Sequence, residues 1–139
     1  MKLLSEPEIV ALLDLDKVDL VERALPPLDD YDTDRRSQGW LKRGVAEGFF
    51  SAGQIVHEGR TIASIVYSQA LDPGRVLHVN AILALVSDDV SITIQAAVER
   101  IAREMNCPVI EFQTRRCGMV QKTKRFGWKL HAVVLRKYL

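Results

Sequence analysis

Two polar side chains interrupt a long apolar run in this chain. His78 and Asn80 alternate with apolar residues in VLHVNAILALV, residues 76–86, and residues two apart share one face of a β-strand. An imidazole is well suited to proton transfer near neutral pH, so His78 is a candidate general base. Glu111, in the later apolar run CPVIEFQT, is a second candidate, and Tyr67, in the run RTIASIVYSQAL, is expected to lie nearby. Structural interpretations stay open, in which His78 holds one hydrogen bond in a strand and Glu111 pairs with an arginine.

A pair of carboxylates, Asp88 and Asp89, comes directly after that run and just before a helical pattern over residues 90–105. The N-terminus of a helix has free N–H groups and partial positive charge, so it attracts anions. Aspartate is also a preferred N-cap residue. We therefore predict that Asp88 or Asp89 caps this helix with its own carboxylate; a divalent-ion role is the alternative.

Other patterns for metal or nucleophile chemistry do not occur in the sequence. His57 and His131 have no partner at metal-ligand spacing, and there is no Ser-His-Asp or nucleophile-elbow pattern. The sequence therefore predicts no metal site.

Charge is unevenly distributed, although the formal net charge is only +1. Residues 1–34 carry ten acidic and three basic side chains, whereas residues 115–139 carry eight basic and no acidic ones. Such a basic segment forms a solvated face or binds an anionic partner. We predict a partner-binding face at Lys122, Lys124 and Arg125, for an acidic protein or a second copy of the chain, with nucleic acid as a further option.

Composition places the chain among globular proteins. It has 139 residues, of which 47% are hydrophobic, enough for one domain with its own core. No run approaches the roughly 18 apolar residues of a membrane span, and the N-terminus has no hydrophobic signal region. Cys107 and Cys117 are too few for a disulfide framework. These features predict a cytoplasmic protein without a membrane span.

Hydrophobic periodicity predicts helices first and strands later. One domain over residues 1–139 is expected, with a helical N-terminal segment (1–48) and a sheet core (49–139). The expected helices cover residues 6–14, 18–25, 35–46, 90–105 and 117–126. The expected strands form a hairpin over 49–71 that turns at Glu58-Gly59, and then cover 76–86, 107–114 and 128–139. Two strands joined through a helix imply a parallel pair.

This order of elements, with RFGW closing the short helix at residues 125–128, resembles the GCN5-related N-acetyltransferase (GNAT) superfamily. The resemblance covers residues 49–139. It implies an α/β fold of the acyl-CoA N-acyltransferase type, with a mixed central sheet, flanking helices and one parallel strand pair.

The resemblance also implies how a cofactor would bind. In the GNAT family the fourth and fifth strands splay apart, and the pantetheine of acetyl-CoA or another acyl-CoA pairs with the exposed backbone between them. Carried over to this chain, the pairing residues are Ile82, Leu83, Ala84 and Leu85. Arg115 and Arg116 are expected at the mouth of the sheet. There they would contact the phosphates of the cofactor in place of the family's diphosphate loop, which this sequence lacks.

The sequence departs from the GNAT pattern at three positions. The family's glycine-rich diphosphate loop falls at VSDDVS, residues 86–91, which contains no glycine and two carboxylates. The family's general-acid tyrosine falls at Thr123, and a family asparagine falls near Arg116. These departures predict a degenerate acetyltransferase-like domain with weakened or lost acetyl-CoA use. The alternative is an active, atypical N-acyltransferase with His78 or Glu111 as its base.

Chain length and the stretch MVQKTKRFGW, residues 119–128, also resemble acetyltransferase-like proteins that tailed bacteriophages encode. Some of those proteins are packaged in the virion. That likeness implies a phage-encoded, virion-associated binding module that uses the cleft or the basic face.

Overall fold

Strands and helices follow one another along the parts of the chain that the structure describes. The computed structural model describes residues 5–25, 39–71, 74–112, 117–132, 135 and 137. The strands are β1 (Glu8–Ala11), β2 (Ser51–His57), β3 (Arg60–Leu71), β4 (Arg75–Ala84) and β5 (Val109–Glu111). The helices are α1 (Leu15–Ala24), α2 (Trp40–Ala46), α3 (Ser91–Glu104) and α4 (Cys117–Lys124).

The strands form one mixed sheet in the order β1-β2-β3-β4-β5. The first three pairings are antiparallel, whereas β4 and β5 are parallel. A parallel pair needs a long crossover connection, which α3 supplies. This arrangement confirms the predicted α/β fold class, with a mixed sheet, flanking helices and one parallel strand pair.

The hairpin between β2 and β3 turns at Glu58 and Gly59, as predicted. Both residues have positive φ, 53° and 77°, which is the combination that a type I′ turn requires. The backbone twist of this turn matches that of the flanking strands. The turn therefore sets the pairing of His57 with Arg60 and Val56 with Thr61, and a bulge in β3 shifts the register by one residue from Ile55 onward.

The predicted helix over residues 6–14 is wrong, because β1 lies within that range and pairs with β2. Ser5 does not cap a helix; its hydroxyl lies 3.2 Å from His57 Nε2. The free edge of β2 gives the β-branched residues Ile9 and Val10 a partner that the sequence pattern could not show. The sheet therefore includes residues from the 1–48 segment that was expected to be helical. That residues 1–139 form one domain stays a prediction.

The predicted final strand is also wrong where it can be judged, because residues 128–132 form no strand. Trp128 instead turns inward, where its Nε1 donates to Gln95 Oε1 at 2.8 Å and its ring meets Phe112 edge-on at 4.8 Å. The fifth strand is shorter than the predicted 107–114, since β5 ends at Glu111. A high strand propensity needs a neighbouring strand to pair with, and none of the described strands pairs with residues 128–132.

The remaining helix predictions are confirmed within one turn. Residues 18–25 and 90–105 correspond to α1 and α3, and residues 117–126 correspond to α4. The 35–46 prediction corresponds to α2, although residues 35–38 lie outside the described part. Hydrophobic stripes at helical spacing identified these segments, and α1 and α3 bury their apolar faces against the sheet.

The sheet has a helix layer on each face. On one face α3 buries a cluster made of residues from β2, β3, β4, the helix itself and the loop that follows it: Ile55, Ile62, Ala63, Ile65, Leu77, Val79, Ala97, Val98, Ile101, Ala102 and Cys107. On the other face α1 and α2 cover a smaller cluster: Leu12, Val18, Val21, Leu41, Val66 and Ala81. Side chains of β4 therefore alternate between two different layers.

A carboxylate of α1 fixes the position of α2. Glu22 accepts hydrogen bonds from the backbone N–H groups of Gly39 at 2.8 Å and Leu41 at 2.9 Å. The first N–H groups of a helix have no intrahelical partner, and α2 has no side-chain cap of its own. Glu22 therefore joins the two helices that cover this face. No helix in the described ranges is long and apolar enough to cross a membrane.

Candidate functional site

His78 and Glu111 meet across the parallel β4–β5 pair. They are register partners, and His78 Nδ1 lies 3.0 Å from Glu111 Oε1. Their side chains are 25% and 42% exposed, so solvent or a ligand can reach both. An ionised carboxylate only accepts hydrogen bonds, so the hydrogen sits on Nδ1 and a neutral ring keeps Nε2 as its acceptor. The two sequence candidates for proton transfer thus form one pair, and the described partner of Glu111 is this histidine.

A bulge in β4 brings two more polar groups onto the same face. Val66 pairs with Ala81 and Tyr67 with Val79, so Asn80 is the extra residue. Its Nδ2 donates to Ser68 Oγ at 3.1 Å, and Ser68 is the register partner of His78. Sequence alternation had placed His78 and Asn80 together. It could not show Ser68, because that contact depends on the register between β3 and β4.

The described ladder between β4 and β5 ends at His78 and Glu111. Their ladder covers only Val76–His78 against Val109–Glu111, while β4 continues to Ala84 along β3. In the described part of the chain, the side of β4 that faces β5 is therefore unpaired from Val79 to Ala84. The result is an open backbone edge beside the His78–Glu111 pair.

Hydrogen-bond alternation identifies which residues expose their backbone groups at this edge. Leu85 N donates to Ile62 O at 2.8 Å, so Leu85 and, two residues earlier, Leu83 direct their backbone groups toward β3. Ile82 and Ala84 direct theirs the opposite way. Of the four residues expected to pair with a pantetheine, only Ile82 and Ala84 have main-chain groups facing the cleft.

The junction between β4 and α3 carries two carboxylate side chains, Asp88 and Asp89. Asp89 Oδ1 accepts hydrogen bonds from Ser91 N at 3.0 Å and Ser91 Oγ at 2.6 Å, although the N-cap position itself is Val90. The hydrogen bonds from Ser91 hold the pKa of Asp89 below its usual range. Neither aspartate is therefore the N-cap residue that was predicted, although Asp89, one position earlier, accepts from the first helical N–H group.

Asp88, the second carboxylate, does not contact the helix. Arg60, at the start of β3, binds it in an exposed ion pair. The hydrogen bond from Arg60 is also the main reason that the pKa of Asp88 lies below its usual range. Both aspartates are therefore anionic at neutral pH. Sequence reasoning missed Arg60, although its place directly after the Glu58-Gly59 turn put it at a strand end.

Two basic residues of the C-terminal region lie near this junction. Lys122 and Arg125 also contribute, by charge, to the lowered pKa of Asp89, and with Lys124 they are exposed. The Trp128 contacts with Gln95 and Phe112 hold the end of this region against α3 and β5. Of the predicted partner-binding residues, Lys122 and Arg125 therefore lie close enough to the start of α3 to act on Asp89 by charge.

The other candidates from the sequence do not join this site. The Thr123 hydroxyl donates to Met119 O at 2.9 Å, within its own helix. Tyr67 packs in the α3 cluster, on the face opposite His78, and burial followed by the charge of Glu104 raises its pKa. Arg115 and Arg116 lie outside the described residues. Among residues that are described, no three His, Cys, Asp or Glu side chains could hold a metal ion.

The fold of this chain is similar to that of several solved acetyltransferase structures. No protein-family model and no curated protein matches the chain. The structure is similar to an aminoglycoside N-acetyltransferase, AAC(6′)-Iy, in complex with CoA, with a TM-score of 0.62, 16% identity, and coverage of 97% of this chain and 95% of that one. It is also similar to a predicted acetyltransferase with acetyl-CoA from Clostridium acetobutylicum (TM-score 0.58, 14% identity, coverage 95% and 96%).

A possible acetyltransferase from Clostridium difficile is similar too, with a TM-score of 0.66, 12% identity, and coverage of 97% of this chain and 98% of that one. At these identities the likeness concerns the fold, and it extends over nearly the whole chain. The chain has the acyl-CoA N-acyltransferase fold of the GNAT superfamily.

Proposed function

We propose that this chain is a degenerate acetyltransferase-fold protein: a binding module in which use of acetyl-CoA is weakened or lost. The observation that carries the proposal is the hydrogen bond from Ser91 N to Asp89. The first N–H groups of a helix are where a bound phosphate is ordinarily received. Here a side-chain carboxylate already accepts from one of them.

The electrostatics of the junction support the same conclusion. A diphosphate at the start of α3 would meet two carboxylates whose pKa values are both lowered. Like charges repel at close range even in an exposed site, although salt screens the effect. The side chains of Asp88 and Asp89 also keep a ligand from approaching the backbone as closely as glycines allow. The residues present do not fit a diphosphate.

Calorimetric titration with acetyl-CoA tests the proposal. The wild-type chain is expected to show no binding at micromolar concentrations. Replacing both carboxylates (Asp88→Asn with Asp89→Asn) removes the charge, and should tighten binding at least about tenfold because the repulsion is gone. The glycine pair at the same positions also frees Ser91 N, and should tighten it further.

Asp14→Asn is the matched control. Asp14 Oδ1 accepts from Asp16 N at 3.0 Å, the same interaction as between Asp89 and Ser91, but at the start of α1. This variant should leave acetyl-CoA binding unchanged. Micromolar binding by the wild-type chain would reject the proposal, and so would asparagine and glycine pairs that bind acetyl-CoA no better than wild type.

The second candidate is an active, atypical N-acyltransferase, and the His78–Glu111 pair favours it. With Nδ1 held by Glu111, His78 Nε2 is available to accept a proton from an amine. Asn80 and Ser68 lie on the same face, where they can position that amine. The pair is reachable from solvent and lies next to the open edge of β4.

An acetyl-transfer assay with acetyl-CoA and a panel of primary amines separates the two candidates. If the chain is an enzyme, His78→Gln should abolish turnover. The control His131→Gln, at an exposed residue of the C-terminal region, should not. An absence of binding at millimolar acetyl-CoA would reject the enzyme. Phage origin and packaging in a virion stay predictions, which proteomic analysis of purified particles would test.

A further inference from the structure

We propose that a cavity beneath the last turn of α3 binds a small organic cation, an amine with an apolar or aromatic body. The cavity lies where β1 ends and β2 begins, and its volume is about 440 Å³. Ligand pockets in proteins commonly have volumes of about 300–1,000 Å³. The described residues that line it include none from β4 or from the β4–α3 junction. The inference therefore goes beyond the proposed function and does not depend on it.

Small residues of the sheet leave this space open. Ala11 and Ser51 line the cavity, and Gly53 is the register partner of Ala11. Residues two apart in a strand share a face, so these three lie on the face of Ile9 and Ile55, which pack in the α3 cluster. Residues this small do not fill the layer between the sheet and the helix. A gap therefore remains beneath the end of α3.

The walls of the cavity suit an apolar body. Ile101 and Met105 line it at the end of α3, Val45 lines it from α2, and Tyr67 lines it from β3. Leu13, another lining residue, is 87% exposed. A ligand that covers this leucine removes apolar surface from water, which favours binding.

Glu104 indicates that the ligand is a cation. It is the one charged residue among the described residues that line the cavity, and its side chain is 60% exposed. It is also the last residue of α3, and the C-terminus of a helix carries partial negative charge. The face of an aromatic ring such as that of Tyr67 attracts cations as well. Burial and, to a lesser extent, the charge of Glu104 raise the pKa of Tyr67, so this hydroxyl is neutral near pH 7.

Arg100 does not take the place of this cation. Its Nε donates to Glu104 Oε1 at 3.1 Å, while its Nη1 donates to Pro7 O at 2.7 Å, and it is not among the residues that line the cavity. A carboxylate has two oxygens with about four lone-pair sites. One contact to Oε1 therefore leaves acceptor capacity on Glu104 for an ammonium group.

The surroundings of the cavity lie within the described part of the chain. The lining residues and their neighbours in sequence all belong to residues 5–25, 39–71 and 74–112. A neutral compound with the same apolar body is the alternative ligand, and it would gain nothing from Glu104. The test therefore compares compounds that differ in charge alone.

Three compounds with one aromatic body are titrated into the full-length chain: naphthylethylamine, naphthylethanol and naphthylacetate. Near neutral pH they are positive, neutral and negative. The amine should bind at least about threefold more tightly than the alcohol, and the carboxylate should bind most weakly, because of the charge of Glu104. NMR with methyl-labelled methionine gives the affinity and the place of binding. The signal of Met105 should move, whereas that of Met119, in α4, should not.

Glu104→Gln removes the charge and keeps the size of the side chain. It should weaken amine binding about three- to tenfold and leave binding of the alcohol unchanged. Glu99→Gln is the matched control, because Glu99 lies on the same helix and also accepts a hydrogen bond from a residue four positions away, Gln95, at 3.2 Å. Glu99 does not line the cavity.

Ala11→Leu fills the cavity, and it should weaken binding of the amine and the alcohol alike by at least about tenfold, since a packed space does not accept further atoms. Ala11 is exposed, so the fold should persist, which circular dichroism checks. Ser51→Leu, at a second exposed lining residue, makes the same test from β2. Ala84→Leu is the control, at an exposed alanine of β4 outside the cavity.

Four results would overturn this inference. They are no amine binding at millimolar concentration, an alcohol or carboxylate that binds as tightly as the amine, an unmoved Met105 signal, and wild-type amine binding by Glu104→Gln or by the folded leucine variants at Ala11 and Ser51. None of them affects the proposed function, which the acetyl-CoA titration tests with a different ligand. Micromolar acetyl-CoA binding would in turn reject the proposed function and leave the amine site unaffected.

Discussion

The two edges of the sheet are built differently. At one edge, β1 is paired along its length with β2, and it is further held by Arg100, which donates to Pro7 O at 2.7 Å, and by an ion pair of Arg103 with Glu6 at 3.6 Å. At the other edge, the part of the chain that the structure describes has three residue pairs between β4 and β5. His78 and Glu111, the candidates for proton transfer, lie at this second edge.

The two edges are therefore expected to differ in role: the β1 edge contributes to stability and the β4–β5 edge to binding. At the β1 edge the inner backbone groups pair with β2 along the whole strand, and the preceding residues are held by Arg100 and Arg103, so substitutions there should change stability. Groups at the β4–β5 edge are partly unpaired and exposed, so substitutions there should change binding and leave stability nearly unaltered. Main-chain binding is expected where the sheet is incomplete, since only unpaired main-chain groups can pair with a ligand.

The largest expected difference compares Ile55 with Val109. Ile55, in β2, is fully buried, whereas Val109, in β5, is 51% exposed. Ile55→Ala should lower the free energy of unfolding by about 2–5 kcal/mol, because it leaves a cavity. Val109→Ala should lower it by less than about 1 kcal/mol. Urea unfolding followed by circular dichroism measures both, and equal losses would break the comparison.

A smaller effect is expected at Gly53, where β1 approaches β2 most closely. A Cβ at this position would lie 2.8 Å from Ile9 Cγ2 and 3.4 Å from Val10 O. Gly53→Ala should therefore destabilise the chain by about 1–3 kcal/mol through overpacking, measured as a lower urea midpoint. Combining it with Ile9→Ala should recover part of that loss in a double-mutant cycle. Additive losses would mean that the β1 contact is not the cause.

The smallest expected effect concerns pH at the open edge. Asp88 has a lowered pKa, mainly through Arg60, so its charge stabilises the fold above the ordinary aspartate value of about 3.9. That contribution is lost as pH falls through the lower folded-state value. Arg60→Gln should raise the pKa of Asp88, with little change in melting temperature at pH 7, since the pair is exposed.

Carboxyl-carbon NMR titration of Asp88 measures this change. Asp89 should move much less, because the hydrogen bonds from Ser91 are its main stabilisation. Arg103→Gln, which removes an exposed ion pair at the other edge, is the control. An Asp88 titration that is the same in the Arg60→Gln variant would show that the ion pair is not formed in solution.

Much of the fold could be predicted because it depends on local patterns. A few neighbouring residues are enough to predict the apolar stripe of α3, the alternation in β4 and the Glu58-Gly59 turn. The same local signals failed for residues 6–14, where Ser5 and Glu8 suggested a helix cap. The edge of β2, more than forty residues away, turned that segment into a strand.

The candidate site was predictable in its members but not in its geometry. Alternation singled out His78 and Asn80, and the position of Asp88 and Asp89 before a helix predicted a self-capped junction. The contact of His78 with Glu111 depends on the parallel register. Which of residues 82–85 turn their backbone groups away from β3 depends on the antiparallel register between β3 and β4, and these are Ile82 and Ala84.

The sequence by itself determined the kinds of elements, the uneven charge and the presence of two carboxylates where a helix begins, because these are properties of residues close together in the chain. Only the tertiary structure decided which groups meet and which stay unpaired. Strand register sets distances between residues that are far apart in sequence, and no local preference encodes those distances.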